Sequence, residues 1–295
     1  MTFYQLHSKK QQATGQGIDL WSVLYKSDYI FAKNDYVFGL SMISKSNNGI
    51  IQLRQKGRNS MVYYTGDIHG NATDLVAFVN RFKLTDSDIL IILGDVGANY
   101  YGDKRDQYCK NALASMKPTV FCIHGNHERR PATVPSYKQK EWNGGMVWYE
   151  DEYPNLLFAR DGDIFNIDGT KHLVIGGAYS VDKFYRLERN YLWFPDEQPS
   201  AKIKAYVEEQ VVKQQVDIIL SHTCPYKYEP REAFLPMIDQ SSVDDSTEHW
   251  LNKIEDMANY KAWLCGHWHI DKRIDKLYFL FDNVVPLDII KRGFK

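Results

Sequence analysis

Five short apolar runs in this chain each end in a small residue followed at once by a side chain able to bind a metal. They read YYTGDIHG, with Asp67 and His69; IILGDVG, with Asp95; CIHGNHE, with Asn126 and His127; IILSH, with His222; and WLCGHWH, with His267 and His269. The donors are imidazole, carboxylate and one amide oxygen, without thiolate. That mixture suits divalent Mn, Fe or Zn better than a soft-metal site or an all-oxygen calcium cage. With His127 set aside, seven donors exceed what one tetrahedral or facial site can use, but they suffice for two cations that share a bridging carboxylate. Asp95, the lone carboxylate of its loop, is the candidate bridge.

Two divalent ions facing the carboxylates of Asp67 and Asp95 leave about two positive charges in a water-poor crevice, which favours a phosphate group and a hydroxide nucleophile. A pair of metals ~3.5–4 Å apart can polarise phosphoryl oxygens and stabilise both the attacking and the leaving oxygen. The chemistry this implies is phosphoester hydrolysis. His127, one residue past Asn126, is free to act as general acid towards the leaving oxygen or to stabilise transition-state charge. Glu128 beside it is placed to orient an imidazole.

These groups meet only if the runs are neighbouring strands whose carboxyl ends open on one crevice. The flanking pattern fits. Residues 61–66 and 88–95 read as strands, the second a continuous apolar run as expected where both faces of a parallel sheet are covered. Leu75, Phe78, Val79 and Phe82 follow at helical spacing between them. A polar helix is expected at 104–115 and a further strand before Asn126. From 141 to 185 the pattern turns antiparallel, with a tight hairpin at Asp168-Gly169. A helix near 200–215, a strand at 216–222, a helix near 246–258 capped by Ser246 or Asp245, a strand at 261–269 and a hairpin from Ile274 to Val285 complete a mixed-sheet α/β layered domain over 61–295. Residues 1–60 carry eight Lys or Arg against three Asp, show no strong period, and read as an N-terminal extension.

Composition narrows the function classes. Of 295 residues 44% are hydrophobic and 25% charged, so disorder and low-complexity scaffolding are poor explanations. The formal net charge of -1 provides no global field for a nucleic-acid backbone or an anionic membrane, although a local patch would serve. Cys109, Cys122, Cys224 and Cys265 stand singly, which is neither a disulfide framework nor a zinc-thiolate site, and a reducing cytoplasm fits them best. No apolar segment approaches the ~20 residues of a membrane span.

The series GDIHG, GDVG, GNHE, SH and GHWH, in this order over residues 66–269, resembles the calcineurin-like metallophosphoesterase superfamily. The resemblance implies a four-layer α/β/β/α sandwich with two mixed β-sheets packed face to face. It implies that Asp67, His69, Asp95 and His269 hold one metal and Asp95, Asn126, His222 and His267 the other, manganese foremost in vitro. It also implies a bridging hydroxide, with His127 beside the scissile phosphate. The chain departs from the phosphoprotein phosphatase pattern GDxxDRG, because its text from Gly94 to Tyr100 is GDVGANY, without that branch's second Asp or its phosphate-holding Arg. Phosphodiesters, nucleotides and small phosphomonoesters are therefore the expected substrates, with Arg129 and Arg130 as alternative phosphate contacts.

Competing readings attach to the other residues. A fold that has lost its activity and serves as a binding scaffold is the rival to an enzyme. Trp148, Tyr179, Tyr185 and Trp193, with Lys183, Arg186 and Arg189, could stack a base and hold phosphate, but burial is the default for aromatics without a stripe. His124 reads as a packed imidazole, and His7, His172 and His249 as surface or structural residues. The Gly176-Gly177 pair suits either a close approach of backbone to the crevice or a bulge.

Overall fold

A computed structural model describes residues 60–236 and 238–294; the expected extension therefore lies outside the described residues, except for Ser60. Strands β1 (Val62–Thr65), β2 (Ile89–Ile92) and β3 (Thr119–Cys122) run parallel, and β3 is followed in the sheet by β6 (Leu156–Ala159), also parallel. The antiparallel pair β4 (Lys138–Trp142) and β5 (Gly145–Tyr149) extends the β6 side, and β13 (Val285–Pro286) closes the other edge beside β1. The second sheet has β8 (Thr170–Ile175), β9 (Ile218–Ser221), β10 (Ala262–Cys265) and β12 (Leu277–Phe279) parallel, flanked by antiparallel β7 (Ile164–Ile167) and β11 (Lys272–Ile274).

Side-chain alternation decides the layers, because successive residues of a strand point to opposite faces. Tyr64, Ile91, Phe121, Val174, Leu220 and Leu264 share one core between the two sheets. Their sequence neighbours Leu173, Ile219 and Trp263 face instead a second core closed by Val207 and Val211 of helix α4 (Ala201–Lys213) and by Leu251 and Ile254 of α5 (Ser246–Met257). On the outer face of the seven-stranded sheet, α1 (Thr73–Phe82) buries Leu75 and Val79 and sets Phe78 edge-on to Tyr63. Helix α2 (Asp106–Ala114) buries Cys109 and Leu113. The order is helix, sheet, sheet, helix, the expected four-layer α/β/β/α sandwich. The short helices α3 (Lys183–Glu188) and α6 (Leu287–Lys291) complete the helices.

Local details confirm and correct the sequence reading. Asp168 and Gly169 both take positive φ, 49° and 69°, and pair Ile167 with Thr170 in the expected tight turn. The stretch from Ile274 to Val285 is not one hairpin. Ile274 and Leu277 close a turn between β11 and β12, whereas Val285 has crossed to the other sheet to pair with Tyr64. Asp245 occupies the N-cap position of α5 without a capping bond; the Ser246 amide is held instead by Asp244 Oδ1 at 3.1 Å. Among the described residues no helix is long and apolar enough to cross a membrane.

Candidate metal centre

All eight predicted residues lie just beyond the carboxyl ends of five parallel strands. Asp67 and His69 follow β1, Asp95 follows β2, and Asn126 and His127 follow β3; His222 follows β9, and His267 and His269 follow β10. The small residue that precedes each ligand position has a steric cause. A methyl group on Gly94 would lie 2.2 Å from His222 Nδ1, one on Gly125 2.1 Å from Asp95 Oδ1, and one on Gly266 2.2 Å from Asp67 Oδ1. Ser221, the exception, uses its hydroxyl, which accepts from Trp263 Nε1 at 2.6 Å. Four non-glycine residues of the site are left-handed: His69, Asp95, His267 and His269, with φ of 44°, 46°, 66° and 51°. Such conformations cost about 1–3 kcal/mol each and gather at functional sites.

Backbone donors fix the two carboxylates. His267 N lies 3.0 and 3.1 Å from the two oxygens of Asp67, and His127 N donates to Asp95 Oδ1 at 2.8 Å. The β1 and β2 loops are tied together by His69 N donating to the Asp95 carbonyl at 2.8 Å. Around these carboxylates, His269 Nε2 stands 3.2 Å from Asp67 Oδ2, and His69 Nε2 stands 4.0 Å from both Asp67 Oδ2 and Asp95 Oδ2. His69 and His269 bring their Nε2 atoms to 2.9 Å of each other. On the other side of Asp95, His222 Nε2 lies 3.6 Å from Asp95 Oδ1 and 2.8 Å from Asn126 Oδ1, with His267 Nδ1 3.1 Å from that same amide oxygen. Two groups of metal-capable atoms result, Asp67 with His69 and His269, and Asp67 with Asp95 and His222.

The donor chemistry fits cations. His222 Nδ1 is 2.8 Å from the Leu93 carbonyl, which can only accept, so Nδ1 carries the proton. A neutral His222 then turns a lone pair towards the amide oxygen of Asn126 and the carboxylate of Asp95, and lone pairs facing one another call for a positive charge between them. In the protein alone that charge is a proton on His222: burial opposes it, but Asp95 and Asp67 outweigh burial and push its pKa up to about 9. Burial likewise works against charge on Asp95, yet His222 and His127 hold its carboxyl well below the usual range. Burial pushes His69 down to about 4 and His267 to about 3, which leaves both imidazoles neutral near pH 7.

His127 stands at the edge of the site, its ring 5.6 Å from that of His69. Other expectations resolve differently. Glu128 does not orient an imidazole; its Oε1 accepts from the Gly125 and Val96 amides at 3.1 and 3.4 Å and so braces two ligand loops. Arg130 is committed to the carboxylate of Asp161 and the Asp196 carbonyl, and Arg129 lies over the Phe194 ring. Asn99 accepts from Tyr137, and Tyr100 accepts from Arg186, which is buried and paired with Asp182. Tyr179 is buried and Trp193 donates to Glu197, whereas Phe184 and Tyr191 of the same segment are exposed. Gly176 and Gly177 permit close approach to His124 and to the Glu197 carbonyl. His124 and His172 are buried, the latter bonded to Tyr64 Oη at 2.7 Å, whereas His249 lies stacked on Tyr226; His7 lies outside the described residues. All four cysteines are buried and free. Two contributors escaped the sequence reading: Ser180, which accepts from Asn126 Nδ2 at 2.9 Å, and Phe281, stacked flat on His269 at 4.5 Å.

The calcineurin-like phosphoesterase family matches this chain over residues 61–271, and the chain belongs to that family. The chain is also similar, at low identity, to several solved structures. The protein TT1561 of Thermus thermophilus is 14% identical, with a TM-score of 0.45 over 77% of this chain and 97% of that one. A protein of unknown function, AQ665 from Aquifex aeolicus, is 11% identical, with a TM-score of 0.39 over 79% and 99%. The sulfate thiohydrolase SoxB of Thermus thermophilus is 8% identical, with a TM-score of 0.35 over 76% and 52%. No curated protein matches the sequence.

Proposed function

We propose that this protein is a metal-dependent phosphoesterase that hydrolyses a phosphomonoester or phosphodiester of a small molecule or nucleotide at a dinuclear centre. The observation that carries this reading is the convergence of His222 Nε2, His267 Nδ1 and Asn126 Oδ1 on one side of Asp95 and of His69 and His269 on the other. Asp67, His69, Asp95 and His269 would hold one cation, and Asp95, Asn126, His222 and His267 the second, with Mn, Fe or Zn all compatible with the donors. When bound, such a pair would polarise phosphoryl oxygens and lower the pKa of a water nucleophile towards ~7.

The chain's own residues supply the remainder. Asp95 is oriented by the His127 amide and Asp67 by the His267 amide, so neither carboxylate has to reorganise when substrate arrives. The His127 imidazole, at the edge of the site, would protonate the departing oxygen. A second motif that reads GDVGANY, with Asn99 held by Tyr137 and no arginine, supports diesters, nucleotides and small monoesters over phosphorylated proteins. The four free thiols support action in the reducing cytoplasm.

Hydrolysis of bis-p-nitrophenyl phosphate and of p-nitrophenyl phosphate tests the reading. Turnover is expected with Mn²⁺, is abolished by a chelator and returns when Mn²⁺ is restored. A purified chain that stays inert with Mn, Fe and Zn while keeping its fold would favour the scaffold role instead.

A further inference from the structure

Asn126 is the one amide among the seven donors, and an amide has two unequal faces. Its Oδ1 can ligate a cation. Its Nδ2 cannot, and would donate to the lone pairs of His222 Nε2 and His267 Nδ1, which both lie within 3.1 Å of the position now held by Oδ1. With His222 and His267 both neutral, as ligation of a cation requires, the flipped amide is therefore a competitor that satisfies both imidazoles and closes the site. Something must forbid it.

Behind Asn126 the hydrogen bonds have a fixed polarity. Asn126 Nδ2 lies 2.9 Å from Ser180 Oγ, and Ser180 is 2% exposed. Behind it stands Glu197, also 2% exposed, whose carboxyl burial pushes above its ordinary pKa while the Ser180 hydroxyl and backbone amide, as donors towards it, pull the other way. Trp193 Nε1 donates to Glu197 Oε2 at 2.8 Å. When Glu197 is ionised it only accepts, and the Ser180 hydroxyl then aims its proton at Glu197 and turns a lone pair to Asn126, whose Nδ2 lies 2.9 Å away and is the end of the amide able to use it. Gly177 lets this segment close, since a methyl group there would lie 2.2 Å from the Glu197 carbonyl oxygen.

We propose that Ser180, backed by Glu197, is a positioning residue that locks the Asn126 amide with its oxygen towards the second cation. This rests on the metallophosphoesterase reading above. Removal of the hydroxyl frees the amide to flip, and loss of a second-sphere partner of this kind costs about 10–100-fold in metal affinity.

The test is Mn²⁺ titration of the full chain by calorimetry, with bound Mn²⁺ counted by electron paramagnetic resonance. The wild type is expected to take two ions, and Ser180→Ala to bind the second about 10–100-fold more weakly while the first stays within about twofold. In an Asn126→Asp background the same Ser180→Ala change is expected to alter the second affinity by no more than about twofold, because a carboxylate has no donor face to present. Glu197→Gln is expected to weaken the same ion, and it serves as the reading variant if Ser180→Ala does not fold. Uptake of fewer than two ions by the wild type would overturn the dinuclear reading and this inference together. Two ions in the wild type with an unchanged second affinity in the variants would overturn this inference alone. So would equal weakening of both sites, or an equal loss in the Asn126→Asp background, since either marks Ser180 as packing.

Discussion

Gly266→Ala isolates the steric requirement at the ends of the ligand-bearing strands. Gly266 does not have the left-handed φ of Gly94, so alanine there brings no backbone strain of that kind. The methyl group would instead sit 2.2 Å from Asp67 Oδ1 and 2.9 Å from the Leu93 carbonyl oxygen. The first distance is about 1.2 Å short of the 3.4 Å at which ordinary contact begins. Leu93, fully buried just beyond β2, yields little, so the Asp67 carboxylate must move by about an ångström, away from the His267 amide that orients it. Overpacking of this size costs ~1–3 kcal/mol, or roughly 2–12 °C of melting temperature in a domain of this length. A ligand displaced by ~1 Å is expected to lower turnover by ~10²-fold. Gly169→Ala is the control: φ there is 69° with nothing within 4 Å, so it should cost ~1–2 kcal/mol of strain and leave the site untouched. Mn²⁺ affinity, melting temperature and hydrolysis of bis-p-nitrophenyl phosphate are measured on both variants. Wild-type metal affinity in Gly266→Ala, or an equal affinity loss in Gly169→Ala, would refute the argument that these glycines exist to make room for the donors.

Two further outcomes follow from residue roles and burial. Asp95→Asn is expected to abolish binding of both ions, whereas His127→Ala keeps two ions and slows turnover by about 10²–10⁴-fold, which metal analysis alongside kinetics separates. Glu248 in the first turn of α5 is buried, and that burial, reinforced by Glu229 and Asp245, pushes its pKa up to about 7 from 4.5. A raised carboxyl pKa gives stability that is complete below pH 4.5 and declines as pH rises through 7, by ~3 kcal/mol at most. Glu248→Gln should flatten that decline in melts compared at pH 5 and pH 8, and an unchanged pH slope would count against it.

The parts of the fold that carry the site were legible because they obey strict local chemistry. Strands β1, β2, β3, β9 and β10 are covered on both faces, so their sequences are apolar without alternation, and all but β9, which ends in Ser221, lead into a glycine where a side chain would collide with a neighbouring segment. The donor types and their chain order then point to the chemistry. Strand β4, KQKEW, escaped notice because it is an edge strand whose Lys138, Gln139 and Glu141 face solvent, and nothing local distinguishes it from a loop. The sheet change between Phe279 and Val285 was hidden for another reason. Both pieces are short strands, and which sheet receives the second depends on the free edge of β1. Ser180 carried no signal of its own, since its role is set by Asn126 and Glu197, which reach it from distant parts of the chain. Arg130 showed the converse: its place beside GNHE suggested a phosphate contact, but Asp161 and the Asp196 carbonyl claim it.

Four of the seven donors leave the seven-stranded sheet and three leave the six-stranded one, so the crevice straddles the seam between two slabs held together mainly by apolar packing. Any cation lodged there works as a rivet across the seam, and its binding energy is shared with the cohesion of the whole sandwich. Chelation should thus loosen this end of the protein first, and protection of the Thr65, Leu93 and Ile123 amides against hydrogen exchange should rise and fall with metal occupancy.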